Sequence, residues 1–359
     1  MNTKESNSSW LVIVALTGLT LAAFGIFQMK LSSDPQAGWL PGWQEVRSFI
    51  LPRRALAAVA ANGFLYVIGG VDDAGNYVRE TEFSPIETDG SPGPWRKTTA
   101  LPDGRIYLAA VALNNHIYVI GGGQGKLGSD NFPVASVEKA VIQPDGSLGP
   151  WQQEIYMTTP RRGLKVVVNN DQIYAIGGYN GQFLKTTERT SVTPDGSLEG
   201  WQLEPSRSAV DRYIHSAALA NGTIYLFGGH VQGGSGMSYG DVESSDITEN
   251  GSLAPWRIEQ TVLHTPRFIA SGFAHNNFLY ILGGHNGAQR LRSVEFAPID
   301  AEGRIGRWLP AADLLHPRSA AAVTVTDEFI YVLGGMGEEG ALNDVEMAQQ
   351  RRNGQLGHR

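Results

Sequence analysis

The sequence predicts an all-β chain folded as a six-bladed propeller, and three periodic features carry that prediction. Gly-Gly pairs begin at Gly69, Gly121, Gly177, Gly228, Gly283 and Gly334, spaced 52, 56, 51, 55 and 51 residues apart. A tyrosine stands three residues before each pair, at Tyr66, Tyr118, Tyr174, Tyr225, Tyr280 and Tyr331. Trp43, Trp95, Trp151, Trp201, Trp256 and Trp308 repeat with the same period.

Each repeat reads as four strands. The first alternates small and apolar residues, as in ALAAVAA at 55–61, and ends in an Asn-Gly or Asn-Asn turn. The second is the apolar run that finishes in Gly-Gly, FLYVIGG in the first repeat. A loop of 9 to 15 residues leads to a third strand carrying Glu82, Glu138, Glu188, Glu243, Glu295 or Glu346. Eight residues after each glutamate comes a hairpin glycine, Gly90, Gly146, Gly196, Gly251, Gly303 or Gly354. In the first five of these hairpins the tryptophan of the fourth strand follows five residues later. The glutamate-to-tryptophan unit has fixed length, so all variation falls in the loop after Gly-Gly. Closure is legible as well. The first tryptophan precedes the first Gly-Gly, and the last repeat ends NGQLGHR with Arg359 in the tryptophan slot. The strand near Trp43 is therefore expected to complete the sixth blade by pairing with the strand around Val345, which removes free sheet edges.

Doubled glycines with a phased tryptophan, six times over residues 43–349, resemble the kelch-repeat family. One departure is that the kelch tyrosine between Gly-Gly and Trp is missing. Ser84, Ala140, Thr190, Ser245, Ala297 and Ala348 stand two residues after the glutamates instead. The resemblance implies a propeller that binds other proteins. Exported six-bladed kelch proteins also include N-acetylneuraminate epimerases, which this chain resembles in blade number and export signal, without long insertions to bury a sugar.

Ahead of the repeats, residues 10–27 form an uncharged apolar run, WLVIVALTGLTLAAFGIF. As a helix its 18 residues would span about 27 Å, close to a bilayer core. The expected organisation is a tail over 1–9, a transmembrane signal-anchor over 10–29, a linker over 30–42, the propeller over 43–349 and a C-terminal tail over 350–359. A cleaved signal peptide is the competing reading, although no Ala-x-Ala follows the apolar core. Either reading places the propeller outside the cytoplasm, in the periplasm or at the cell surface.

The 28 Lys plus Arg against 35 Asp plus Glu give a net charge of −7, which argues against tracking a nucleic-acid backbone. With no Cys there are no disulfides, thiolate metal sites or thiol nucleophiles. No HExxH, GxSxG or P-loop occurs. Gly123, Gly125 and Gly128 match GxGxxG, but Pro133 follows where a helix would have to start. No cofactor or metal is expected.

Two sets of residues are candidates for function. Sixteen residues before each Gly-Gly stands an arginine: Arg53, Arg105, Arg161, Arg212, Arg267 and Arg318. In an antiparallel blade this position shares a face with the variable loops. The guanidiniums then either ring the channel mouth and hold carboxylates, or pair with the equally periodic glutamates. The arginine position resembles that of arginines holding acidic peptide side chains in some kelch adaptors. The variable loops supply Asp72, Asp130, Tyr179, Asn180, His230, Tyr239, His285 and Asn286, the two histidines following Gly-Gly directly in neighbouring blades. Lys165 replaces Ala or Ser on an inner strand and points to a wet channel. The expected function is a membrane-anchored, non-catalytic module for a protein partner or an acidic or sugar ligand. The alternatives are a structural subunit of a larger membrane complex and a sugar-acid epimerase-like enzyme.

Overall fold

A computed structural model describes residues 40–358, apart from 129 and 232–236. The apolar run at 10–27 lies outside the described residues. No helix among the described residues is long and apolar enough to cross a membrane.

Residues 41–358 form one unit whose described residues make six antiparallel blade sheets and two short two-stranded ribbons in the loops. In the first blade the inner strand Ala57–Ala61 pairs with Phe64–Ile68, then Thr81–Pro85, then the outer Arg96–Thr98. The next four blades repeat this order, with inner strands Ala109–Leu113, Lys165–Asn169, Ser216–Ala220 and Ser271–His275. The sixth is closed as the sequence implies. Gln44–Val46 pairs with Ala341–Gln350, and Val46 lies opposite Val345. Residues 350–359, expected to be a tail, need correcting: Leu356–His358 adds a further strand to this sheet, and Leu356 is buried. The reason is local, since residues 351–355 turn the chain back, with Gly354 N donating to Arg351 O at 2.9 Å.

The periodic residues bind blade to blade. Tyr66 Oη donates to Gly146 O at 2.8 Å, Tyr118 to Gly196 O at 2.6 Å, Tyr174 to Gly251 O at 2.7 Å and Tyr225 to Gly303 O at 2.7 Å. Tyr280 reaches Gly354 O at 2.7 Å, and Tyr331 closes the circle on Gly90 O at 2.7 Å. Each tyrosine thus anchors the outer hairpin of the following blade. Four tryptophans tie the outer strands backward: Trp43 Nε1 to Ala312 O, Trp95 to Arg47 O, Trp151 to Thr99 O and Trp201 to Ile155 O, at 3.0–3.1 Å. The apolar residues between facing sheets form the core, and the two middle strands of each blade are largely buried while outer strands such as Gln152–Gln153 and Leu309–Pro310 are exposed.

The doubled glycines are required where blades approach. The first glycine of every pair has φ of 57–64° and the second 90–106°. A Cβ on Gly121 would lie 2.6 Å from the carbonyl oxygen of Arg161 in the next blade. That same carbonyl accepts a hydrogen bond from Gly122 N at 2.8 Å. Equivalent bonds run from Gly70 N to Arg105 O, Gly229 to Arg267, Gly284 to Arg318 and Gly335 to Arg53. Only glycine leaves room for the neighbouring backbone and adopts the left-handed turn that aims its N–H there.

Candidate functional site

The six arginines lie at the channel end that carries the variable loops, but inside the wall. All are at most 1% exposed. Each Nη1 donates to the carbonyl of the first glycine of its own pair, 16 residues on, at 2.9–3.3 Å. Each Nη2 meets its blade's glutamate: Arg53 with Glu82, Arg105 with Glu138 at 2.8 Å, Arg161 with Glu188 at 2.9 Å, Arg212 with Glu243 at 2.6 Å, and Arg267 with Glu295 and Arg318 with Glu346 at 2.5 Å. Five of the glutamates also accept two successive backbone N–H groups from the loop entering the blade, as Glu188 does from Thr158 and Thr159. The expectation of ligand-facing guanidiniums therefore gives way to its alternative. A charge this deep needs a fixed partner, and the glutamate supplied at the same period is that partner.

Electrostatics vary around this ring. Burial alone would raise the Glu188 carboxyl, but donors from Thr158 and Arg161 outweigh it and hold the group below the ordinary value. In Glu346 burial wins over Arg318 and the carboxyl is raised. Burial lowers Arg53, Arg161 and Arg267, with their glutamates opposing.

The channel mouth is formed by the residues just after the arginines. Ala55, Tyr107, Gly163, Ile214, Ile269 and Ala320, one per blade, have φ of 46–63°. Their backbones link around the axis: Tyr107 N donates to Ala55 O, Gly163 to Tyr107, Ile269 to Ile214, Ala320 to Ile269 and Ala55 to Ala320, at 2.8–3.0 Å. A left-handed conformation at a β-branched isoleucine is strained, and it accompanies these bonds: Ile269 both donates and accepts in the series, and Ile214 accepts from Ile269 N. The side chains of Tyr107, Ile269, Ala55 and Ala320 gather into an apolar plug with Val71 and Ile106.

Around the plug, blades three to five present a continuous aromatic arc. Tyr179 lies 6.1 Å from Phe183 and 5.4 Å from Tyr213, centroid to centroid. Phe183 touches Tyr213 at 5.5 Å and His230 at 6.0 Å. His230 stacks on Phe268 at 5.0 Å, and Phe268 meets His285 at 5.5 Å. The Arg162 guanidinium lies 4.8 Å from the Tyr179 ring centroid. Except for Phe268, all these side chains are partly exposed, and Met237 at the rim is 49% exposed. Backbone bridges fix the arc, because Arg162 pairs with Tyr179, Tyr213 with His230 and Phe268 with His285. Burial and then Arg290 lower the His285 imidazole below its ordinary value.

Among the loop candidates, Tyr179, His230 and His285 are brought together in this arc. The histidines do not touch as a pair, since the Phe268 ring lies between them. Tyr239 packs over Arg212 at 5.3 Å, and burial raises its hydroxyl. Asp72 shapes its own loop by accepting from Asn76 N at 2.8 Å, and Asn286 Oδ1 accepts from Ala288 N and Gln289 N at 2.9 Å. Asn180 N donates to Gln182 O at 3.2 Å in a turn, and Asp130 is exposed on the blade-two loop. Phe183, Tyr213, Phe268 and Arg162 were not among the expected residues. The signal for Arg162, Tyr213 and Phe268 was a column one residue after each arginine, Arg54, Ile106, Arg162, Tyr213, Phe268 and Ser319, which is apolar or aromatic in only three blades; Phe183 lies in the variable loop after Gly178.

Among the described residues no cluster of three metal-ligating side chains occurs. A kelch-motif profile matches residues 160–189, which run from just before Arg161 through Tyr179 to just after Glu188. The chain is 28% identical to beta-scruin of Limulus polyphemus over 254 residues, covering 68% of this chain and 26% of that protein. It is 24% identical over 258 residues to the kelch repeat and BTB domain-containing protein 1 of horsepox virus, covering 69% of this chain and 41% of that one. The matched regions are therefore well under half the length of these relatives. Among solved structures, the one titled "Structure of YjhT" superposes with a TM-score of 0.66 at 16% identity, covering 87% of this chain and 98% of that one. With six glycine-tyrosine-tryptophan repeats closed into a ring, this chain is a kelch-repeat β-propeller of six blades.

Proposed function

We propose that the protein is a protein-interaction module that docks its partner on the aromatic arc of blades three to five. The observation that carries this is the arc itself: six rings and Arg162 on short, backbone-bridged loops, with Met237 exposed at the rim. Rigid aromatic and arginine side chains give large contact area at low entropic cost and dominate interface energies. The kelch-repeat relatives support a protein-binding role. On this reading the apolar run at 10–27 anchors the propeller to a membrane and the arc faces the extracytoplasmic side.

The test is site-specific photo-crosslinking in the native host. A crosslinker at Tyr179 or at His285 should capture one protein in fixed ratio, while one at the exposed Asn114 on the opposite face should not. Capture from Asn114 alone, or only of a small sugar or carboxylate ligand at Tyr179, would overturn the assignment.

A further inference from the structure

Twelve residues before each Gly-Gly, the inner strand carries Ala57, Ala109, Lys165, Ser216, Ser271 and Ala322. Five of these are small and buried, and only Lys165 is long, charged and partly accessible. It lines two adjoining spaces of the central channel, of about 40 and 150 Å³. The walls carry no counter-charge: small inner-strand residues such as Ala110, Ala217 and Val323, with Leu56, Leu108 and Leu164, line them together with backbone, and no aspartate or glutamate lines either space. The other lysines of the blades differ. Lys139 meets Glu154 at 2.8 Å, Lys185 meets Asp211 at 2.6 Å, Lys97 reaches Glu80 at 3.8 Å, and Lys126 is exposed on a loop.

The nearby hydroxyls are committed. Ser216 Oγ donates to Ala270 O at 3.1 Å and Ser271 Oγ to Ala321 O at 2.8 Å. Neither hydroxyl proton is therefore available to a bound carboxylate. Lys165 bears on His215 at the start of the neighbouring blade, whose side chain is 1% exposed. Burial, Arg212 and Lys165 hold that imidazole well below its ordinary value, so it is neutral and supplies no counter-charge.

We propose that Lys165 is a nucleophilic amine that condenses with a small carbonyl compound inside the channel. Nζ adds to the carbonyl carbon of an aldehyde or ketone, the C–O bond breaks, and both amine hydrogens leave with the oxygen as water, giving an imine. A desolvated lysine without a carboxylate partner is the setting that activates an amine for this step. A space of about 150 Å³ limits the carbonyl compound to about six heavy atoms or fewer. Burial lowers the amine to about 8. At pH 7.5 about a quarter is then free base, against about 0.1% for an ordinary lysine.

The experiment treats the folded full chain with acetaldehyde and cyanoborohydride at pH 7.5 and follows ethylation of each lysine by peptide mass spectrometry. Lys165 should label at least ten-fold faster than Lys126, the excess should vanish in guanidinium chloride, and at pH 10 the two rates should converge. Labelling of Lys165 no faster than Lys126 in the folded chain would overturn the proposal, as would a rate ratio unchanged between pH 7.5 and 10.

Discussion

Replacing Arg161 with Met separates a structural arginine ring from a ligand-binding one. The substitution keeps an unbranched apolar stem but deletes the bonds from Nε and Nη2 to Glu188 at 3.2 and 2.9 Å. It also deletes those from Nη1 to Gly177 O and Thr186 O at 2.9 and 2.8 Å. Glu188 stays, fully buried and charged, held by Thr158 and Thr159 alone. Removing one partner of a buried pair leaves an uncompensated charge and costs about 3–5 kcal/mol. In urea, with a slope near 3 kcal/mol/M, the midpoint should fall by about 1 M or slightly more. Circular dichroism and tryptophan fluorescence should report the same transition. A variant with an unshifted midpoint that had nevertheless lost its partner would refute this reasoning, because the guanidinium would then serve a ligand and not the wall.

Further consequences follow from the same geometry. Tyr331→Phe removes the Oη bond to Gly90 O and orphans a buried carbonyl, so it should cost about 1–3 kcal/mol in thermal or urea unfolding. In a ring without ends, Tyr66→Phe should cost a similar amount. Gly121→Ala places a Cβ 2.6 Å from Arg161 O at φ of 58° and should lower soluble yield and stability by about 2 kcal/mol or more, read by thermal shift. Because Glu188 is held below its ordinary value of 4.5, its stabilisation is complete above that pH and is lost as pH falls through the lower folded value. Glu188→Gln should therefore flatten the acid limb of a stability-against-pH curve while lowering stability at neutral pH.

The ring was legible because its constraints repeat. Gly-Gly, the tyrosine and the arginine with its glutamate each meet the same neighbour in every blade, so periodicity alone exposes them. Closure was legible from the misplaced Trp43. The variable-loop residues were harder to rank. Asp72 and Asn286 have the polarity of binding residues, yet their side chains fold back onto their own turns. Tyr213 and Phe268 were missed because one contributes to the arc from a segment otherwise read as strand lead-in, and the other is an apolar residue that looks like core. The left-handed mouth was invisible as well, since nothing marks Ile214 or Ile269 as residues that take positive φ.

The most direct test of the interaction reading is the affinity of the partner, once crosslinked and identified, for the Tyr179→Ala/Phe183→Ala double variant against the wild type. Aromatic anchors at an interface centre contribute about 2 kcal/mol or more each, so with both removed Kd should rise roughly several hundred-fold while the unfolding midpoint changes little. An unchanged Kd in that folded variant would contradict the arc as the docking surface.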